Sequence, residues 1–242
     1  SACLGDDQAL QQALAEKRQA LRHYLLSGKG DRDILLEVIA LLEEACDRAV
    51  GMRPFAVQMM AVLSMVDGHF VQLAPGEGKT LTIAIVAIIN AWLGRPCHVM
   101  TANSYLAERD AELMAPLFAF CGLQVAMLDD DLDREARAPV YAKDIVYGTA
   151  QQFLADYLRD QIALGAKLER VEIYLAHAGD KPPLIAMRGL GSAIVDEADS
   201  ILVDEANTPL IISGAMPDRM LFEAVEQAHA IVHTLVPEQD YR

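Results

Sequence analysis

A glycine-rich turn between two apolar runs constrains this chain more than any other feature. Residues 73–80 read Leu-Ala-Pro-Gly-Glu-Gly-Lys-Thr, between the apolar runs 70–73 and 81–93. This order predicts a strand, a phosphate-binding turn and a helix that begins with Lys79 and Thr80. Backbone N–H groups of the turn and the positive end of the helix dipole would hold an anion. Leu73 stands where the full pattern has its first glycine.

Each residue of this loop has an expected role. Lys79 would reach the terminal phosphates of a nucleotide, and the Thr80 hydroxyl would hold Mg²⁺. The cofactor-binding residues expected from the loop are Gly76, Glu77, Gly78, Lys79 and Thr80. An ordinary tight turn would contain similar residues, so the loop needs a second element to support it.

The second element is an apolar run that ends in two carboxylates. Residues 193–199 read Ala-Ile-Val-Asp-Glu-Ala-Asp, which predicts a buried strand with Asp196 and Glu197 at its end. In a phosphoryl-transfer site Asp196 would fix Mg²⁺, usually through water, and Glu197 would orient or deprotonate the attacking water. Acids that cap a helix after a strand would look the same. Together with the loop, however, these residues favour a nucleotide-hydrolysis domain.

Periodicity predicts the order of helices and strands along the chain. Helices are expected at residues 8–26 and 33–50, each with an apolar face, and at residues 56–66. Short strands are expected at 70–73, 97–101, 124–128, 144–147, 193–196 and 210–213. Strands that alternate with helices form a parallel sheet covered on both faces. The loops at the carboxyl ends of the strands then share one edge, where we expect both motifs.

The composition limits the classes of function. The formal net charge is −15 and 53% of the residues are hydrophobic. An acidic chain is a poor nucleic-acid-binding module, because a basic face supplies most of the affinity for nucleic acid. The four cysteines include no Cys-x-x-Cys pair, so neither a zinc site nor a redox pair is indicated. Free thiols fit a reducing cytoplasm.

Five segments of the sequence resemble the SecA family of bacterial preprotein translocase motors. The resemblance covers about residues 33–220 and, more weakly, the first helix. The matching segments are Gly51-Met-Arg-Pro-Phe-Ala-Val-Gln58, Gly76-Glu-Gly-Lys-Thr80, Asn103-Ser-Tyr-Leu-Ala-Glu-Arg-Asp110, Tyr147-Gly-Thr149 with Asp156-Tyr-Leu-Arg-Asp160, and Val195-Asp-Glu-Ala-Asp-Ser-Ile-Leu202 with 204–214. The last is the most specific, because its Thr-Pro-Leu-Ile-Ile-Ser-Gly end is not shared with ordinary helicases.

The resemblance implies a RecA-like P-loop NTPase fold, α/β with a parallel sheet and preceded by N-terminal helices. It implies three regions: an N-terminal helical segment at 1–50, the first nucleotide-binding domain at 51–214, and the truncated beginning of the preprotein cross-linking domain at 215–242. The adenine of ATP or ADP would lie against Met52, Phe55 and Gln58. A glutamine amide can pair with both the donor and the acceptor edge of adenine. Arg109 matches a family arginine near the catalytic carboxylates.

The family function implied is ATP-driven preprotein export across the membrane. The partners implied are a SecYEG-type translocation channel, preproteins and, peripherally, the membrane surface, but no nucleic acid. The expected location is cytoplasmic, at the inner face of the plasma membrane, and dimerisation of the full-length form is left open. In the family, the second RecA-like domain and its arginine finger come later in the chain. We therefore expect the isolated 242-residue chain to bind nucleotide weakly and to be inactive.

Departures from the family pattern and one sequence motif together keep three alternatives open. Ala74-Pro75 replaces Lys-Thr in the loop, Asn207 replaces an arginine, and Gln151-Gln152 replaces Asn-Glu. An atypical or accessory member, or a non-catalytic interaction domain, would fit these changes. Because residues 196–199 read Asp-Glu-Ala-Asp, a DEAD-box nucleic-acid helicase is the other alternative.

Overall fold

The computed structural model describes residues 2–27, 32–164, 185–207 and 219–232. The helices are α1 (Ala2–Ser27), α2 (Asp33–Val50), α3 (Ala56–Val66), α4 (Lys79–Trp92), α5 (Ser104–Phe120), α6 (Arg134–Tyr141), α7 (Ala150–Leu164) and α8 (Arg219–Val232). The strands are β1 (Cys97–Thr101), β2 (Val125–Met127), β3 (Ile145–Thr149) and β4 (Ser192–Val195). A π-helical turn, Ser200–Asp204, and a 3₁₀ turn, Glu205–Asn207, follow β4.

The four strands form one parallel sheet in the order β2-β3-β1-β4. Cys97 of β1 is opposite both Ile145 of β3 and Ser192 of β4, so these three strands begin at the same level. Their carboxyl ends therefore also meet at one edge. The parallel α/β sheet predicted from the alternating pattern is confirmed for these strands, with boundaries that agree within two residues.

The larger part of the core lies on one face of the sheet. Cys97, Val99 and Ile145 point from the strands into a cluster that also includes buried residues of α1, α2, α4 and α5. This is the larger core cluster. The N-terminal helices predicted from leucine spacing belong to this cluster, since Leu14 and Leu21 are fully buried in it. Residues 1–209 form one compact unit, and residues 210–242 form a second unit.

The opposite face of the sheet is covered by α6, α7 and residues 186–187. Val146 and Leu128 pack there against Tyr141 and Phe153. A strand with buried side chains on both faces reads as a continuous apolar run, which is how Ile145–Tyr147 appears in the sequence.

The strand predicted at 70–73 is wrong. These residues have no regular secondary structure, and the side chain of Phe70 is 95% exposed. A four-residue apolar run becomes a strand only when a neighbouring strand completes its hydrogen bonds. Among the described residues, no strand pairs with it, and β4 lies at the sheet edge. The strand predicted at 210–213 lies outside the described residues.

Candidate nucleotide site

The phosphate loop leads into α4 through two left-handed glycines. Gly76 has φ of 86° and Gly78 has φ of 76°, a region that other residues enter only with strain. The Glu77 N–H donates to the Ala74 carbonyl at 3.3 Å and closes a turn around Pro75. Residues 74–78 are exposed, so the turn is open to a ligand. Pro75 has no N–H to offer to a phosphate.

Helix α4 fixes the position of Lys79 and Thr80. Every residue from 81 to 89 is buried, because this helix lies inside the larger core cluster. The first turn of α4 is thereby held by the whole apolar length of the helix behind it. Lys79 and Thr80, at its start, are half-buried.

The Thr80 hydroxyl lies beside a buried acid on α5. Thr80 Oγ1 donates to Asp110 Oδ2 at 3.4 Å, and Asp110 is only 4% exposed. The neighbouring Arg109 forms an ion pair with the same carboxylate, with 2.7 Å between Nη2 and Oδ1. Asp110 thus joins two of the residues predicted for the site.

The two carboxylates of the second motif follow β4 directly. Burial, and next the negative charge of Glu197, raise the pKa of Asp196 above its usual range, while the Glu197 N–H and the Lys79 ammonium act against this shift. The Glu197 N–H donates to Asp196 Oδ1 at 3.0 Å. Glu197 itself is exposed and has φ of 55°.

Charges from three elements therefore meet at one edge of the sheet. Lys79 lowers the pKa of Asp196 and Asp110 raises it, so both charges lie close to that carboxylate. Asp196 in turn contributes to the raised pKa of Arg109, after the larger effect of Asp110. A lysine at a helix start, an arginine and separate carboxylates are groups that can bind phosphate, orient a water molecule and hold a divalent cation.

The expected adenine-binding residues differ in their surroundings. Phe55 is 73% exposed at the start of α3, and Met52 is half-buried against the larger core cluster. Gln58 is buried, and its amide bonds to the Phe55 N–H and to the Gly78 carbonyl. Gln58 thus contacts the phosphate loop. The role of all three residues toward adenine stays a prediction.

Asp110 is the residue that sequence reasoning missed at this site. It ends the segment Asn103-Ser-Tyr-Leu-Ala-Glu-Arg-Asp110, in which only Arg109 was assigned a role. The signal that could have identified it is an acid in an otherwise small and apolar helical stripe, since Ala107, Ala111 and Met114 are buried on the same side of α5. A buried acid in such a stripe needs a polar partner.

Among the described residues, no group of three or more His, Cys, Asp or Glu side chains could hold a metal ion by itself. Mg²⁺ is commonly bound by one or two protein oxygens together with substrate phosphates and water. Thr80 and Asp196 fit that pattern, because the hydroxyl and the carboxylate lie at the same sheet edge as the phosphate loop. No described helix is both long and apolar enough to cross a bilayer.

Comparison with known proteins agrees with this arrangement. Residues 6–242 match the model of the SecA DEAD-like domain. The chain is 43% identical to protein translocase subunit SecA 2 of Magnetococcus marinus, over 96% of the chain and 36% of that relative. It is 44% identical to protein translocase subunit SecA of Alcanivorax borkumensis, over 88% of the chain and 22% of that relative.

The chain thus spans about a third or less of the length of these relatives. The family match covers the phosphate loop, both carboxylates and the four strands. The RecA-like fold expected from the sequence motifs is confirmed by this match and by the parallel sheet. The chain belongs to the SecA DEAD-like domain family.

Proposed function

We propose that this chain is the ATP-binding motor domain of a SecA-like protein translocase subunit. The observation that carries the proposal is the meeting of Lys79, Thr80, Asp196 and Glu197 at the carboxyl edge of one parallel sheet. Ligands of open α/β sheets bind at this edge. The family match supports the proposal.

In this proposal each side chain has one task. The loop N–H groups and Lys79 hold the β- and γ-phosphates, and Thr80 and Asp196 hold Mg²⁺, directly or through water. Bound Mg²⁺ neutralises charge that develops on the phosphate oxygens. Glu197 orients the attacking water and accepts its proton. Glu197 suits this task because it is exposed to solvent, whereas Asp196 is half-buried.

Arg109 would stabilise negative charge at the same edge. Its guanidinium is half-exposed while one side is held by Asp110. The remaining N–H groups of a guanidinium can then face a phosphate oxygen. Met52, Phe55 and Gln58 would bind the adenine ring of ATP or ADP.

The proposed process is preprotein export driven by ATP hydrolysis. The curated relatives carry the name protein translocase subunit, so a SecYEG-type channel and preproteins are the proposed partners. The proposed location is the cytoplasmic face of the plasma membrane, with the protein bound peripherally. A role in nucleic-acid unwinding is disfavoured by the net charge of −15 and by the family match.

Two substitutions test the nucleotide chemistry in the full-length protein. Lys79→Ala removes the phosphate-binding ammonium and should weaken ATP binding at least about tenfold. Glu197→Gln should keep ATP bound but stop hydrolysis, because only the water-orienting carboxylate changes. Binding is measured by calorimetry and hydrolysis by phosphate release.

Two surface variants serve as controls. Lys143→Ala removes a half-buried lysine that bonds to Gln124, and Glu112→Gln changes an exposed acid on α5. Both should bind and hydrolyse ATP as the wild type does. Wild-type turnover in the Glu197 variant would remove that residue from catalysis. Failure of the wild type to bind ATP would instead favour a non-catalytic interaction domain.

A further inference from the structure

The Gln58 side chain bridges the start of α3 and the phosphate loop. Its Oε1 accepts from the Phe55 N–H at 2.7 Å, and its Nε2 donates to the Gly78 carbonyl at 2.9 Å. Gln58 is 3% exposed, so its amide is shielded from water, while both bonds are part-buried. A buried amide with both ends bonded is held in one orientation, since releasing either bond would leave a buried polar atom unpaired.

The hydrogen bond from Gln58 to the Gly78 carbonyl is shorter than the bonds that this carbonyl accepts from α4. Its other contacts are with the N–H and the Oγ1 of Thr82, both at 3.4 Å. Gly78 precedes α4 with φ of 76° and ψ of 47°, whereas residues at this position are usually extended. The first carbonyl of α4 is therefore weakly held by the helix and closely held by Gln58.

There is no free space between the loop and the amide. A Cβ placed on Gly78 would lie 2.3 Å from Gln58 Nε2, so the loop backbone rests directly on this side chain. The Gly78 carbonyl and the Lys79 N–H belong to one planar trans peptide and point in opposite directions. Because the carbonyl is held toward Gln58, the Lys79 N–H points away from Gln58.

We propose that Gln58 is a positioning residue that sets the phosphate-binding conformation of the loop through the Gly78 carbonyl. The inference rests on the proposed function, because it concerns how that loop binds phosphate. It is compatible with contact to adenine. A glutamine amide has a second N–H and a second lone pair beyond the two bonds described.

The test separates loop positioning from adenine recognition by using a ligand without a base. Gln58→Met, of similar shape, removes both hydrogen bonds and adds no charge. In the full-length protein it should weaken binding of ADP and of inorganic tripolyphosphate alike, by about two- to tenfold, the worth of one or two neutral hydrogen bonds. Calorimetry at fixed Mg²⁺ measures both affinities.

Gln152→Met is the matched control. Gln152 is a buried glutamine at the start of α7 that accepts from the Thr149 N–H at 2.8 Å and donates to the Leu128 carbonyl, away from the loop. Its loss removes one accepted and one donated backbone bond, as in Gln58→Met, and also a bond from Nε2 to the Asp130 carboxylate. Because none of these bonds involves the loop, both affinities should stay unchanged. Equal weakening by both variants would mean a general loss of stability and would overturn the proposal.

Hydrogen exchange of the unliganded protein gives a readout that needs no nucleotide. Amides 76–80 should exchange about two- to tenfold faster in the Gln58→Met variant, and not in the control. If the wild type binds neither ligand, the proposed function fails, and the exchange rates alone decide the positioning role. Unchanged tripolyphosphate affinity together with unchanged exchange would overturn it. If Gln58→Met does not fold, Gln58→Asn, too short to reach both partners, takes the same tests.

Discussion

The Thr80 hydroxyl donates a hydrogen bond to the buried carboxylate of Asp110, with 3.4 Å between Oγ1 and Oδ2. A hydroxyl that binds Mg²⁺ through a lone pair keeps its proton and becomes a stronger donor. By accepting this hydrogen bond, Asp110 can orient the Thr80 hydroxyl so that its lone pair faces the proposed Mg²⁺ site. The same carboxylate holds Arg109, so one acid organises a proposed metal-binding residue and a proposed phosphate-binding residue.

We expect Asp110→Asn to raise the Mg²⁺ concentration needed for half-maximal ATPase activity about tenfold. Groups that orient a metal-binding residue typically change metal affinity or activity by about 10- to 100-fold when substituted. The measurement is a Mg²⁺ titration of steady-state hydrolysis by the full-length protein. Asp144→Asn is the control, since Asp144 bonds to the Gln124 N–H at the start of β3, away from the site. An unchanged Mg²⁺ titration in the Asp110 variant would contradict this role.

We expect Glu197→Gly to stabilise the fold and to abolish hydrolysis. Glu197 has φ of 55°, the only positive φ among the described residues other than glycine. That conformation costs roughly 1 kcal/mol for a residue with a Cβ, and glycine adopts it freely. Chemical denaturation should show a free energy of unfolding higher by up to about 1 kcal/mol. Phosphate release should fall to background.

We expect Glu112→Gly, in contrast, to lower the free energy of unfolding in the same denaturation experiment. Glu112 is an exposed residue inside α5, where glycine costs about 1 kcal/mol relative to good helix formers. Its hydrolysis should stay unchanged. Lower stability in both variants would show that the left-handed backbone at Glu197 carries no strain.

Local patterns predicted most of the secondary structure. Helix α2 follows from its apolar spacing and from Gly51, which ends it with φ of 67°. The strands near 97–101 and 144–147 follow from short apolar runs between helices, and the parallel sheet follows from the alternation. Such signals depend on residues that are close together in the sequence, so they can be recognised from the sequence alone.

Features that depend on distant neighbours could not be predicted. Residues 70–73 have the apolar run of a strand, but pairing depends on another strand at the right distance. Gln58 reads as a base-binding residue, yet its bond to the Gly78 carbonyl joins residues 20 apart. Asp110 lies 30 residues from Thr80, and only the packing of α5 beside α4 brings them together.

We expect Asp156→Asn to destabilise the fold by about 3 kcal/mol. Asp156 Oδ2 accepts from Arg137 Nη1 and from the Tyr141 hydroxyl, each at 2.9 Å, and the acid is 2% exposed. Removing one charge of a buried pair leaves the other without compensation. Denaturant unfolding measures the loss. Asp133→Asn, which changes the cap of α6 to an equally good capping residue, should change stability little. A loss below about 1 kcal/mol at Asp156 would contradict the expected cost.

His98 gives the fold a dependence on pH that is separate from the nucleotide site. Its ring packs against Tyr141 and Phe153, and its Nε2 has no hydrogen-bond partner in the described part of the chain. Burial, and next the positive charge of Arg188, lower its pKa from 6.5 to about 4. As the pH falls, His98 therefore takes up a proton near pH 6.5 in the unfolded chain, but only near pH 4 in the folded chain. Stability from this residue is complete above the unfolded pKa and falls as the pH drops toward the folded pKa.

We expect His98→Phe to remove this pH dependence. Between pH 7 and pH 5 the wild type should lose about 2 kcal/mol of unfolding free energy through His98, since each unit below the unfolded pKa is worth about 1.36 kcal/mol. Phenylalanine suits the aromatic cluster and has no buried nitrogen, so the variant should also be no less stable at pH 7. Denaturant unfolding at both pH values measures the two changes, and other titrating groups cancel in the comparison with wild type. His23→Gln, at an exposed histidine of α1, should retain the wild-type dependence. The same loss between pH 7 and pH 5 in His98→Phe and wild type would show that His98 takes up its proton equally in both states.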